Sequence, residues 1–394
     1  MSDMSAVITC VEDLRAVARK RVPRLFYDYV DSGSWSESTY RANASDLARL
    51  NFCQRVGCNV ADIRMDTRIL GQPVSMPVGL APAGLAGMVH PDGEILAARA
   101  AAAFGVPYVL STVSICSIED LARHAAAPFW FQLYVMKDRD FIERLVERAR
   151  AAGCPALVLT MDLPIQGQRH KDIRNGLSVP PRMTLRGLSA LLARPRWCAG
   201  MLRTSRRTFG NIVGHAKGVG DTLGFSEWVS RQFDRTVSWD DVQWLKQRWG
   251  GKLVVKGVMD ARDARRAVDA GADAIIVSNH GGRQLDGAPS SIRALPAVAQ
   301  AVGGRAEIYL DGGVRSGQDV LRALALGANA AFIGRAYMYG LGAYGQAGVA
   351  RCLDILRREL ESTMTLCGLT RVQDASPDLI VNPYTAFKQQ GDHA

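Results

Sequence analysis

The chain has 394 residues, 48% of them hydrophobic and 22% charged, enough apolar material for a large core and too much for a disordered polymer. Its net charge is +10, yet nine basic residues and no acid fall between Ile173 and Gly220, so the remainder is nearly balanced. The eight cysteines show no CxxC or knuckle spacing, which argues against a disulfide framework and a zinc site, and no metal is expected.

Residues 1 to about 75 read as an N-terminal helical cap. Asp3, Glu12 and Asp13 stand where a signal peptide would need apolar residues, and no uncharged apolar run is long enough to span a bilayer. A cytoplasmic location is expected. From residue 76 to about 340, short apolar runs alternate with helical patterns: Met76–Pro82, Val106–Thr112, Phe129–Val135, Ala156–Asp162, Lys252–Val258, Ala274–His280, Ala306–Gly312 and Ala330–Arg335. Strands alternating with helices in this way predict an α/β fold, a (β/α)8 TIM barrel, with an open doubly wound sheet as the competing arrangement. Residues 263–274 and 319–330 repeat one helix–Gly–strand pattern, which favours the barrel. Residues 341–394 read as a closing helix and tail, so 1–394 forms a single domain.

The only long interval between strands follows the fourth and holds the basic segment 173–220. Leu185, Leu188 and Leu192 have helical spacing there, near Trp197. A basic amphipathic stretch suits an anionic membrane surface, with a solvated loop as the plain alternative. Nucleic acid is not expected, because no binding motif is present and aromatic residues are few.

Active sites of such barrels lie at the C-terminal strand ends. Here those ends carry Ser111, Gln132 and Tyr134, Thr160 and Asp162, Lys256, and Ser278, His280 and Arg283. The last two strands end in Asp311-Gly312-Gly313-Val314-Arg315 and Gly334-Arg335, where glycine exposes backbone N–H groups and arginine adds charge. A phosphate-bearing ligand is expected there. No strand is followed by G-x-G-x-x-G and no P-loop occurs, which argues against a nicotinamide enzyme and an NTPase.

Ser278-Asn279-His280-Gly281-Gly282-Arg283-Gln284-Leu285-Asp286 resembles the motif of the FMN-dependent L-2-hydroxy acid oxidising family, which includes glycolate oxidase, flavocytochrome b2 and mandelate dehydrogenase. The likeness runs from about Val11 to Gly368 and includes Tyr27-Asp28-Tyr29 and Lys256-Gly257-Val258. Leu110–Cys116 and the basic insertion are most similar to the bacterial quinone-linked L-lactate dehydrogenases. The resemblance implies FMN as cofactor and His280 as catalytic base, oriented by Asp162. It implies that Arg283 and Arg169 hold the substrate carboxylate, with Tyr29 beside it and Tyr134 near the substrate hydroxyl. Lys256 would lie by the flavin N1/O2 edge, with Ser111, Gln132 and Thr160 on the isoalloxazine and Ser278 near the ribityl or ring region. Ala81, Pro82 and Ala83 would border the flavin. Asp311, Gly312, Gly313, Arg315, Gly334 and Arg335 would hold the ribityl chain and phosphate.

The activity implied is oxidation of an L-2-hydroxy acid, L-lactate first, with electrons passed to a quinone or other acceptor. A peroxide-forming oxidase and a mandelate-type dehydrogenase for larger aromatic hydroxy acids are the alternatives. Gly84 stands where the oxidases carry alanine, and Val113 where glycolate oxidase carries tryptophan, which widens the substrate pocket. A homo-oligomer, tetrameric by resemblance, is expected. So is a peripheral position on the cytoplasmic face of the inner membrane, through 173–220.

Overall fold

The computed structural model describes residues 7–176, 191–216, 232 and 234–381. Three helices lead in, Val11–Arg21, Arg24–Val30 and Ser38–Ala48. The first begins with Glu12 and Asp13 and ends with Arg19, Lys20 and Arg21, charges that complement the helix dipole. Its buried stripe is Val11, Leu14 and Ala18. The stretch expected as a helical cap also contains a two-stranded hairpin, β1 (Thr67–Ile69) and β2 (Gln72–Val74). The sequence signal for it is weak because each strand has only three residues.

Eight parallel strands follow: β3 (Val78–Leu80), β4 (Val109–Ser111), β5 (Trp130–Leu133), β6 (Ala156–Thr160), β7 (Lys252–Val258), β8 (Ala274–Val277), β9 (Glu307–Asp311) and β10 (Ala330–Ile333). Each lies within one of the eight expected runs. They pair in the order β3-β10-β9-β8-β7-β6-β5-β4. A parallel bridge between Leu80 and Tyr108 joins the two end strands, so the sheet closes as a barrel rather than staying open.

The barrel strands are buried on both faces along almost all their length, which is why the runs are continuously apolar rather than alternating. Val109, Trp130, Val158, Val254, Ile276, Tyr309, Ala330 and Phe332 fill the interior. The Trp130, Tyr309 and Phe332 rings lie 5.3–6.3 Å apart, centroid to centroid. Ile69 and Leu70 of the hairpin join this inner cluster, and Glu307 accepts hydrogen bonds from Leu70 N and the Tyr309 hydroxyl. The hairpin thus plugs one end of the barrel and leaves the other for chemistry. Outward-facing Leu110, Phe131, Leu157, Val255, Ile275 and Leu310 pack into the larger core shared with the helices. The last helix, Gln346–Leu366, follows a break at Gly345.

The insertion is only partly described. Residues 177–190, which hold Leu185 and Leu188, and 217–220 lie outside the described residues. Helix Pro195–Arg203 leaves Leu202 exposed, as Leu192 is just before it. Trp197, expected among the membrane-facing residues, instead turns inward. Its indole N–H donates to Met88 O at 2.8 Å and its ring lies 5.5 Å from that of Phe26. An indole N–H needs an acceptor when covered, and the Met88 carbonyl provides one. Arg206 is likewise not a free charge, since it pairs with Asp92 and Asp120 at 3.0 and 2.8 Å. Asn211 and Ile212 are fully buried. Asn211 accepts from Ile118 N and donates to the Ser114 hydroxyl. Residues 204–216 are therefore part of the barrel's outer packing and not a detachable loop.

Candidate active site

Strand register puts the polar ends side by side. Ser111 pairs across from Gln132, and Thr160 from Lys256. Ser111 Oγ donates to Gln132 Oε1 at 3.1 Å, and Thr112 N donates to the same oxygen at 3.3 Å. These bonds fix the amide through Oε1, and the buried Nε2 has no partner among the described residues. The Thr160 hydroxyl is also buried without a partner.

β7 carries a bulge between Lys256 and Val258, with Gly257 at φ +101°. A Cβ on Gly257 would lie 2.7 Å from that of Asp162, so glycine here permits the approach of the two strand ends. Lys256 Nζ donates to Ser278 Oγ at 2.6 Å and pairs with Asp311 Oδ2 at 3.0 Å, linking β7, β8 and β9. Burial pushes the lysine down, but Asp311 and Asp162 outweigh it and hold the ammonium above its ordinary value. Lys256 therefore stays charged.

After β8 the chain turns sharply at Asn279–Gly282. His280 adopts φ +57°, and Gly281 and Gly282 are also left-handed. Asn279 holds the turn by accepting from Gly282 N and exchanging amide hydrogen bonds with Asn43 of the helix Ser38–Ala48. The turn aims His280 at Asp162, and Nδ1–H donates to Oδ1 at 2.8 Å. That bond leaves Nε2 as the acceptor atom. Burial pushes the imidazole below its ordinary pKa against the pull of Asp162, so it is neutral at neutral pH. Burial raises the Asp162 carboxyl, but His280 and Lys256 reverse this and keep it ionised.

Beside His280, Arg283 and Arg169 stand over the Tyr29 ring, 4.6 and 5.6 Å from its centroid. Arg169 Nε pairs with Asp172 at 3.2 Å. Arg283 donates to the Tyr29 and Ser32 carbonyls through Nη1, while Nη2 has no partner among the described residues. Burial, reinforced by Arg169, makes this guanidinium a worse place for a charge. A bound carboxylate would relieve that penalty. Burial also raises Tyr134, whose phenol therefore stays protonated.

One cavity collects these groups. It is lined by Tyr29, Tyr134, Thr160, Arg169, Lys256, His280 and Arg283, by Ala81, Pro82 and Ala83, and by Asp311, Gly312, Gly313, Arg315, Gly334 and Arg335. Asp162 and Ser278 are bonded to the lining residues His280 and Lys256, whereas Ser111 and Gln132, bonded to each other, are not among the lining residues. Gly312 and Gly313 have φ +95° and +86°, and a Cβ on Gly313 would lie 2.2 Å from Asn43 O. Arg335 lines the cavity too, but three of its N–H groups donate to Val30, Ser32 and Gly281 carbonyls. The guanidinium expected to hold phosphate therefore also braces the cap.

The residues fit a flavin mononucleotide. Gln132 Nε2, Thr160 Oγ1 and Asp311 Oδ1 are buried polar atoms awaiting partners, and Lys256 brings a buried cation. A polar, planar ring system would satisfy them, and the glycine–arginine turns suit its phosphate.

Other positioning residues escaped the sequence reading. Gln284 donates to Asp162 O and Ile165 O and accepts from Gly167 N, so it shapes the loop that carries Arg169. Glu94 is fully buried and accepts from Ile115 N and Cys116 N, fixing the loop after β4. Phe209, from the insertion, lines the cavity. Gln284 lies inside the recognised motif and was open to notice. Glu94 and Phe209 carry no local signal, because their partners are remote in sequence.

A profile of the FMN-dependent dehydrogenase family matches residues 18–382. The chain is 46% identical to an L-lactate dehydrogenase of Xanthomonas axonopodis pv. citri over 95% of this chain and 96% of that one. It is 45% identical to the L-lactate dehydrogenase of Ectopseudomonas mendocina over 95% and 99%. Among solved structures it is similar to a monotopic membrane protein, (S)-mandelate dehydrogenase. That match has a TM-score of 0.90 and 36% identity, covering 96% of this chain and 100% of that one. A mandelate oxidase is similar at a TM-score of 0.79 and 35% identity, over 95% and 98%.

Proposed function

The chain belongs to the FMN-dependent dehydrogenase family, and from that premise we propose that it oxidises an L-2-hydroxy acid, L-lactate first, and delivers the electrons to a quinone. The observation that carries the reading is the 2.8 Å His280–Asp162 pair facing the same cavity as Arg283 and Arg169. The two guanidiniums bind the carboxylate, and their forked N–H groups fix its plane. Tyr29 closes that subsite, and the protonated Tyr134 donates to the substrate hydroxyl. Neutral His280 takes the proton at Nε2, and ionised Asp162 stabilises the imidazolium that results.

Bound FMN supplies two-electron acceptance. Lys256 would hold the ring edge and offer it a buried positive charge. Gln132 and Thr160, with Ser111 bonded to Gln132, would hydrogen-bond the ring, and Ala81–Ala83 would pack against it. Ser278 fixes Lys256, and Asp311 would hold the ribityl chain. Gly312, Gly313, Arg315, Gly334 and Arg335 hold the phosphate.

L-Lactate as first substrate rests on the names of the 45–46% identical relatives. A larger aromatic hydroxy acid is the second reading, favoured by the small Val113 and Gly84 at the cavity wall and by the likeness to mandelate dehydrogenase. No described helix is long and apolar enough to cross a membrane. Peripheral attachment at the cytoplasmic face, through the basic insertion, would place the site near a quinone. A homotetramer of single-domain chains completes the proposal.

The test is anaerobic. The holoenzyme is mixed with a panel of L-2-hydroxy acids and bleaching of the flavin band is followed, then oxygen or a quinone analogue is admitted. L-Lactate should bleach the flavin fastest, and the quinone should restore it faster than oxygen. No bleaching by any hydroxy acid would sink the activity, and faster recovery with oxygen would make the protein an oxidase.

A further inference from the structure

Away from the reacting groups, the carboxylate of Asp31 is buried and accepts four hydrogen bonds. Oδ1 accepts from the Tyr339 hydroxyl at 2.6 Å and the Tyr40 hydroxyl at 3.1 Å. Oδ2 accepts from Arg15 Nη2 at 2.9 Å and the Tyr27 hydroxyl at 3.1 Å. Four donors from four helices thus converge on one side chain. The hydrogen bonds and the Arg15 charge overcome burial and keep the carboxyl below its ordinary pKa.

The backbone on either side of Asp31 is a strip of carbonyl acceptors. Val30 O accepts from Arg335 Nε at 2.9 Å. Ser32 O accepts from Arg335 Nη2 at 2.7 Å and from Arg283 Nη1 at 3.1 Å. Tyr29 O accepts from Arg283 Nη1 as well. One short segment therefore orients two neighbouring arginines of the cavity wall, which share Ser32 O as acceptor: Arg335, which also donates to Gly281 O, and Arg283. The Asp31 donors also touch arginines of this wall. The Tyr40 ring lies 4.5 Å under Arg335, and the Tyr339 ring 5.6 Å from Arg315.

We infer that Asp31, pinned by Tyr27, Tyr40, Tyr339 and Arg15, is a positioning residue that anchors the Tyr29–Ser32 strip and so aligns the cofactor arginine and the substrate arginine together. Loosening this anchor weakens FMN retention and carboxylate binding in one step. The carboxylate half rests on the hydroxy acid reading above, while the FMN half does not.

The experiment uses wild-type, Asp31→Asn and Tyr339→Phe holoenzymes. FMN release is followed by the rise in flavin fluorescence on dilution. Affinity for oxalate, an unreactive dicarboxylate, is read from the flavin absorbance. A lost hydrogen bond to a charged group predicts about ten-fold faster FMN release and about ten-fold weaker oxalate binding, with Asp31→Asn the stronger variant. The control is Tyr309→Phe, which loses a buried hydroxyl bonded to Glu307 near the hairpin plug. It should leave both constants within two-fold of wild type.

Folded Asp31→Asn or Tyr339→Phe protein with both constants within two-fold of wild type would overturn the inference. So would a change in only one constant, or an equal change in the control. If Asp31→Asn does not fold, Tyr339→Phe decides alone. Wild-type holoenzyme that binds no oxalate would overturn the hydroxy acid reading, and the paired alignment with it. Oxalate binding that is equal in wild type and variants sinks the inference alone.

Discussion

His280 works from a left-handed backbone conformation that costs a non-glycine residue energy, and the surrounding turn holds it there. Replacing it by glutamine keeps the cavity but removes the base. His280→Gln should bind FMN and lower the rate of flavin reduction by about 10²–10⁴-fold. Near-normal reduction would remove His280 from the mechanism. The pH profile tests the same residue without mutation. Burial sets the imidazole below the usual 6.5, and the proposed base acts in its neutral form. Activity should therefore persist below pH 6.5, and the acid limb of kcat/KM should fall only under that value. A limb at or above 6.5 contradicts a buried, neutral base. Arg283→Lys keeps charge but loses the fork and the fit over Tyr29. A drop of about 10–100-fold in kcat/KM is expected from the lost charge-assisted bond. A lysine enzyme with unchanged kinetics would place carboxylate recognition elsewhere.

At the scale of elements, the described residues of the insertion divide into an exposed part and a buried part. Leu192 and Leu202 are 67% and 75% exposed, whereas Ile212 is 0% exposed beneath the same segment. A Leu192→Asp, Leu202→Asp double variant should lose salt-sensitive sedimentation with anionic vesicles while keeping activity with a soluble dye. Each basic residue near an anionic surface contributes about 1 kcal/mol, and apolar contact adds to that. Ile212→Ala should instead lower stability by about 2–5 kcal/mol in denaturant unfolding, because it leaves a cavity. If the leucine variant sediments like wild type, those side chains have no part in membrane contact. An Ile212→Ala protein of wild-type stability would mean that residues 204–216 are dispensable.

For the whole molecule, ionised carboxylates are built into the native state. Arg148 holds Glu119 down to about 2, and a backbone hydrogen bond from Thr9, with others from Thr9 and Cys10, does the same for Asp13. Asp31, Asp162 and Asp273 are also lowered in the fold, although burial opposes each. Lowered carboxyl groups contribute stability above their unfolded pKa, near 4, and lose it as pH falls. Asp172 and Glu359, raised by burial, oppose the trend as a minority. Circular dichroism with flavin release as a second readout should show stability falling steeply between about pH 4 and 2. Constant stability over that interval would show that these pairs contribute nothing.

The sequence by itself determined the barrel, because parallel strands buried on both faces need unbroken apolar runs, and these recur with a helix between each. It also pointed to residues that the fold gathers in one cavity, since His280, Arg283 and the glycine–arginine turns lie in short local patterns. Tertiary structure alone decided the closure at Leu80–Tyr108, the hairpin plug and the inward turn of Trp197. It also decided the double use of Arg335 and the Asp31 anchor. These features join residues that are distant along the chain. A carbonyl acceptor, moreover, belongs to every residue and leaves no mark in the amino-acid code.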